Sequence, residues 1–285
     1  MNNSASNHIT FRIIKDRFFK VLIVLFALFA TVPLILILFH LVKNGISSIS
    51  WEFLVNLPKP VGESGGGISN ALIGTGLLII MACIFSIPLG VTAGIYLSEN
   101  KKKKLSYGLT LSAEILQGIP SIVIGIIAYV WIVSPTNTFS ALSGGIALGI
   151  MMLPVIVKTT EETLILIPHS LKEASLALGV PYYRTIVKVI LPAGLSGIAT
   201  GILLAIARIA GETAPLLFTA FGNPFMNLNI LKPINAMPLL IFNYAKSPYP
   251  AWLSLAWGAS LVLIIFVLLL NLSARLVTRR WKTRF

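Results

Sequence analysis

The chain has 285 residues, of which 56% are hydrophobic and only 11% charged, with a mean hydropathy of +0.90 and a formal net charge of +13. A soluble domain carries about twice that charged fraction, so the composition excludes one and specifies a polytopic membrane protein. The basic excess would suggest nucleic acid in a soluble chain, but here it sits mostly at the ends of apolar runs. Topology and anionic membrane lipids account for it better, and no nucleic-acid partner is expected.

The polar N-terminal stretch ends in Arg12, Lys15, Asp16 and Arg17, and the apolar run that follows extends from Phe18 to Val42. That is longer than the roughly 7–15 residues of a signal peptide, so it reads as a retained first span. A bilayer crossing needs about 20 mostly apolar residues. Six segments qualify: 18–42, 71–97, 107–133, 139–158, 193–218 and 251–276. The single cysteine, Cys83, lies inside an apolar run, so no disulfide framework exists. No internal repeat supports an inverted-repeat secondary transporter.

Lysine and arginine are divided unequally between the two sides. The N-terminus, the connection Lys101–Lys104, the polar loop holding Lys158, Lys172, Arg184 and Lys188, and the C-terminal tail together carry 17. The opposite side carries 4, namely Lys43, Lys59, Lys232 and Lys246, and Arg208 lies within a span. The positive-inside rule then places both termini and the polar loop in the cytosol. The two long outer connections, 43–70 and 219–250, read as helix-bundle caps or as a rim for an external protein.

Catalytic patterns are missing. There is no Walker A sequence, no Gly-x-Ser-x-Gly and no His-Glu-x-x-His, and His8, His40 and His169 are scattered. The chain is expected to be no enzyme, to hold no metal and to bind no cofactor of its own. Ionisable residues inside spans are costly in hydrocarbon and are functional candidates by default. They are Glu114, Arg208 and Glu212.

Arg208 and Glu212 are four apart and so share a helix face. Followed in steps of three and four, that face reads Gly194, Gly197, Gly201, Ala205, Arg208, Glu212, Pro215 and Thr219. It is either a small-residue packing seam holding a buried ion pair, or room for a pathway in which Arg208 meets an anion. Packing explains Gly197, Gly201 and Pro215 but not two charges near mid-span, which favours the pathway. Glu114, with Gln117, Gly118 and Ser121, either lines the same path or sits at the cytosolic interface. Gly90/Gly94 and Gly145/Gly149 read as further packing pairs.

The polar loop carries Glu173-Ala174-Ser175, then Gly179, Val189, Leu191 and Pro192. It is a short amphipathic helix stopped by Gly179 and Pro181, suited to docking a soluble partner. Its spacing resembles the EAA loop of ABC-transporter permeases, with Ser175 and Val189 as small departures. The run Arg208-Ile209-Ala210-Gly211-Glu212-Thr213-Ala214-Pro215-Leu216-Leu217-Phe218-Thr219-Ala220 resembles the signature of the PstA-type permease family of phosphate ABC transporters. Gly67-Ile68 through Gly74-Thr75 and Leu116 through Val123 match the same family pattern, and the resemblance covers most of the chain from about residue 66 onward.

The resemblance implies an all-α, six-helix type I ABC importer permease bundle with a cytosolic coupling helix, in a bacterial inner membrane. Residues 1–66 would hold the N-terminus, first span and outer loop. Residues 67–277 would form the permease core with a coupling loop over about 159–192, and 278–285 a basic tail. It implies a homologous C-type permease, two cytosolic B-type ATPase subunits carrying ATP and Mg, an external phosphate-binding protein, and inorganic phosphate as cargo. Arg208 becomes a phosphate-pathway residue, with Glu212 in the same charged cluster. The rival expectations are a permease for another oxyanion or small polar solute, and a secondary anion transporter.

Overall fold

The computed structural model describes residues 3–63 and 65–280. Lys282 and Arg284 of the basic tail lie outside the described residues, as do the side chains of Arg275, Arg279 and Arg280. The described chain is helical: α1 (Asn3–Gly45), α2 (Trp51–Val55), α3 (Ser69–Glu99), α4 (Lys104–Gly118), α5 (Ser121–Thr136), α6 (Ala141–Ile165), α7 (His169–Ala177), α8 (Tyr182–Ile209), α9 (Ala214–Leu217), α10 (Met237–Ala245) and α11 (Pro250–Arg280). Among the described residues, five helices are long and apolar enough to cross a membrane, and the bent pair α4–α5 brings the number to six when it is counted as one broken span.

Three boundaries differ from the hydropathy reading. The segment 107–133 is not one straight span: α4 and α5 meet at 106° across Ile119 and Pro120. Proline drives the residue before it out of the helical region, and Ile119 is extended at φ −72°, ψ 128°. The segment 193–218 is not one helix either. α8 ends at Ile209, and α9 begins only at Ala214. Gly211 weakens the helix there, and Pro215, without an N–H, cannot continue the hydrogen-bond ladder. Finally, α6 runs through Ile165 and α8 starts at Tyr182, so the loop over 159–192 shrinks to 166–181.

The core is the parallel pair α3 and α6, and glycines set its spacing. An ideal Cβ on Gly94 would stand 2.5 Å from the Thr160 Cβ, and one on Gly90 2.7 Å from Ile156. The reverse holds on α6, where Gly145 receives Met81 and Gly149 receives Phe85. Each helix lays its glycine pair under the large side chains of the other, which brings the backbones close and maximises van der Waals contact. Leu78, Ala82, Leu148, Met152 and Ile156 fill the buried centre, joined by Ala205 and Ile209 of α8 and Leu239 of α10.

α8 packs on α6 by the same device: Gly197 and Gly201 back onto Thr163 and Thr159. α1 stands apart. Its apolar length is exposed, and it meets α11 at its end, where Gly45 lies against the Trp257 carbonyl and Leu41 is buried. At that same end, Asn70 donates to the carbonyls of Asn223 (2.7 Å) and Pro224 (3.0 Å), and the Thr75 hydroxyl accepts from the Met237 amide at 2.8 Å. These bonds tie the 219–236 connection and the first residue of α10 to the start of α3.

Candidate functional site

α7 begins at His169, after Pro168, and closes in a hydrogen-bonded turn. The Gly179 amide donates to the Leu176 carbonyl (2.9 Å) and the Val180 amide to the Ser175 carbonyl (3.3 Å). This Schellman closure requires a left-handed residue, which Gly179 supplies at φ +75°. Glu173, Ala174, Leu176 and Leu178 are exposed, Leu178 at 84%. Ser175 differs from the docking expectation. It is buried and shares a hydrogen bond of 3.0 Å with the Thr185 hydroxyl, so it braces the helix from inside rather than facing a partner.

Leu191 and Pro192 lie within α8, not in a loop. Just before them the helix takes one π-helical turn, Ile186–Ile190, in which the Leu191 amide donates to the Ile186 carbonyl. The wider turn makes room for the proline ring, which has no amide to offer. α5 repeats the arrangement: the π turn Tyr129–Val133 precedes Ser134-Pro135, with Ser134 donating to Tyr129.

Sequence reasoning missed the residue that holds α7 in place. Glu99, the last residue of α3, accepts from the ammonium of Lys172 on α7 and from the hydroxyl of Tyr182 at the start of α8. Lys172 also lies 4.9 Å from the Tyr182 ring centroid. Burial pulls the Lys172 ammonium down, but the hydrogen bond and charge of Glu99 outweigh it and hold the group above the ordinary lysine range. The sequence did contain a signal, an acidic residue closing an apolar run and separated by Asn100 alone from four lysines.

The charged pair is arranged differently from expectation. Arg208 occupies the last turn of α8, about 39 Å from its start at ~1.5 Å per residue, not mid-helix. Glu212 lies beyond the helix end. The guanidinium Nε is 3.9 Å from the Glu212 carboxylate, a loose pair in which the two side chains are 47% and 22% exposed.

The small-residue stripe also divides. Gly194, Gly201 and Ala205 are buried in line with Ile198 and Ile209, whereas Arg208 continues an exposed line through Thr200 and Leu204. Past the break, Pro215 packs against Gly125 of α5, where a Cβ would meet the Pro215 Cα at 2.6 Å. The Thr219 carbonyl accepts from the Ser140 amide and the Ser143 hydroxyl, both at 3.0 Å. The latter part of the signature run thus anchors the first half of α5 and the start of α6. Glu114 is exposed on α4, most of whose residues, including Leu111 and Ile115, are also exposed.

Residues 86–283 match the family described as "Binding-protein-dependent transport system inner membrane component", and the chain belongs to that family. It is 44% identical to the phosphate transport system permease protein PstA of Yersinia pestis, covering 94% of this chain and 91% of that protein. The PstA protein of Pasteurella multocida is 39% identical over 95% of this chain and 97% of that protein. The probable PstA protein of Methanocaldococcus jannaschii is 36% identical, over 93% and 94% respectively. Among solved structures, an inward-facing MetNI methionine ABC transporter aligns with a TM-score of 0.61 at 20% identity, over 76% of this chain and 95% of that one, a likeness of fold.

Proposed function

We propose that this chain is the permease subunit of an ATP-driven inorganic phosphate importer, forming half of the translocation pathway. The observation that carries the reading is the 44% identity over 94% of the chain to a phosphate permease, which spans the GETAPLLFTA run as well as the coupling loop. The exposure of Arg208 supports a pathway at the surface of this subunit, completed by a second, homologous C-type permease. Arg208 would attract the anion by charge-assisted hydrogen bonds. Being only one guanidinium, loosely paired, it would bind weakly enough to release it. Glu212 would accept a proton-bearing phosphate oxygen, which fully deprotonated sulfate does not offer. Glu114, exposed on α4, would face the same path.

The exposed Ala174, Leu176 and Leu178 would seat in one of two cytosolic B-type ATPase subunits, which carry ATP and Mg. Closure of the ATPases would move α7, and the Glu99 contact would pass that movement into α3. An external phosphate-binding protein would deliver cargo at the opposite end. Both termini and α7 would then be cytosolic, in a bacterial inner membrane. The test is uptake of labelled phosphate, with sulfate as control, in phosphate-starved cells lacking this chain and in rescued cells. Selective loss of phosphate uptake, restored by rescue, is expected. Unchanged phosphate uptake in cells without a second phosphate transporter would overturn the assignment of cargo.

A further inference from the structure

At the end of the bundle where α7 lies, a cavity of about 420 Å³ opens between the α3–α4 turn, the end of α6 and α7. Its lining includes the basic residues Lys101, Lys102, Lys103 and His169 and the apolar residues Leu164, Ile165 and Ile190. Its one acidic lining residue, Glu99, is already engaged by Lys172 and Tyr182. Among the described residues, no salt bridge joins Lys101, Lys102 or Lys103 to a carboxylate.

The lysines do not stand on a loose loop. The Asn100 carbonyl accepts from the Lys103 amide (3.0 Å) and the Ser106 hydroxyl (2.6 Å), and the Asn100 amide donates to Tyr96 at 3.0 Å. This turn also begins α4, whose N-terminus has no side-chain cap and no acidic residue in its first turn. Positive side chains are therefore stacked on the positive end of a helix dipole, an arrangement that costs free energy until an anion offsets it.

We propose that this cavity is a binding site for a phosphate-bearing anion. The basic lining suits a phosphate group, and the apolar lining suits the glycerol and acyl portion of an anionic lipid, as basic pockets between membrane helices do. The same phosphate chemistry admits free inorganic phosphate. The bound anion would lie against His169 and Lys172, so its occupancy would hold α7 against the bundle. This site is separate from the Arg208 pair at the far end of α8.

The experiment uses the intact transporter in nanodiscs of phosphatidylcholine with a minor fraction of phosphatidylglycerol. It compares the wild type with the triple variants Lys101→Gln/Lys102→Gln/Lys103→Gln and Lys101→Arg/Lys102→Arg/Lys103→Arg. Retained phosphatidylglycerol is counted by mass spectrometry after detergent extraction. In discs of phosphatidylcholine alone, thermal stabilisation by inorganic phosphate is measured.

The glutamine variant should bind on the order of a hundredfold more weakly, at about 1 kcal/mol for each of the three lysines, while the arginine variant retains the wild-type response. Enrichment of phosphatidylglycerol identifies the lipid as the source. Stabilisation by inorganic phosphate, lost in the glutamine variant, identifies the free anion. A glutamine variant that matches the wild type in both measurements overturns the proposal. Neither readout depends on transport, so failure here leaves the assignment of cargo untouched.

Discussion

Glu99 and Lys172 pair across 73 positions of sequence, joining the last residue of α3 to the middle of α7. α3 is half of the glycine-locked core, so the pair ties α7 directly to that core. Replacement of Glu99 by Gln should lower the uptake achieved per ATP hydrolysed more than it lowers complex assembly. A double-mutant cycle with Lys172→Ala should return a coupling energy of about 0.5–3 kcal/mol in thermal unfolding. A coupling energy near zero would refute the tether.

The same pair has a definite pH behaviour. Lys172 is held above its ordinary value of 10.5, so its contribution to stability is complete below that value and is lost as pH rises through the higher folded value. Between pH 7 and about 9, Lys172→Met should therefore lower the melting temperature by a constant amount. A difference that disappears within this range would show that Lys172 is not held charged by Glu99.

Gly179 is left-handed with nothing within 4 Å of an added Cβ, so its constraint is conformational and not steric. Gly179→Asn should be tolerated, because asparagine enters the left-handed region readily. Gly179→Glu should reopen the end of α7 and reduce ATPase co-purification. Equal co-purification and uptake for the two variants would contradict this.

At Gly201 the constraint is steric: an ideal Cβ would lie 2.1 Å from the Thr159 hydroxyl oxygen and 2.5 Å from its Cβ. Gly201→Ala should destabilise the subunit by about 1–3 kcal/mol, read as reduced melting temperature of the purified complex. Thr159→Ala should rescue only part of this, since the Cβ contact remains.

For the charged pair, Arg208→Ala should abolish phosphate uptake with assembly intact, because the side chain is 47% exposed and supports no core packing. Glu212→Gln should narrow the preference for phosphate over sulfate. Lost assembly in the first variant, or unchanged preference in the second, would return the pair to a structural role.

Much of this architecture is legible in the sequence because hydropathy is a local property. The segment 71–97 differs from α3 by only two residues at each end. What hydropathy misses are the breaks, since Ile119-Pro120 and Gly211 to Pro215 sit inside runs that stay apolar across the interruption. The polar Thr159 and Thr163 led to the opposite error. They end the apolar run of α6 but are needed in the helix to receive Gly201 and Gly197, a requirement set by a neighbour about 40 residues away. For Arg208 the residue type was readable, but its exposure depends on where α8 stops, and Glu99 acquires its partners only through folding.

The isolation of α1 bears on how the chain tolerates change. From Phe18 to Phe39 its side chains meet little of the protein, so one apolar residue can replace another there without disturbing the bundle. A single added methyl at Gly90 or Gly94, by contrast, collides with a facing helix. Random apolar substitution should therefore be nearly silent along most of the first span and severe in the third helix, although both are equally at home in hydrocarbon. Between two such segments, hydrophobicity governs one sequence and shape governs the other.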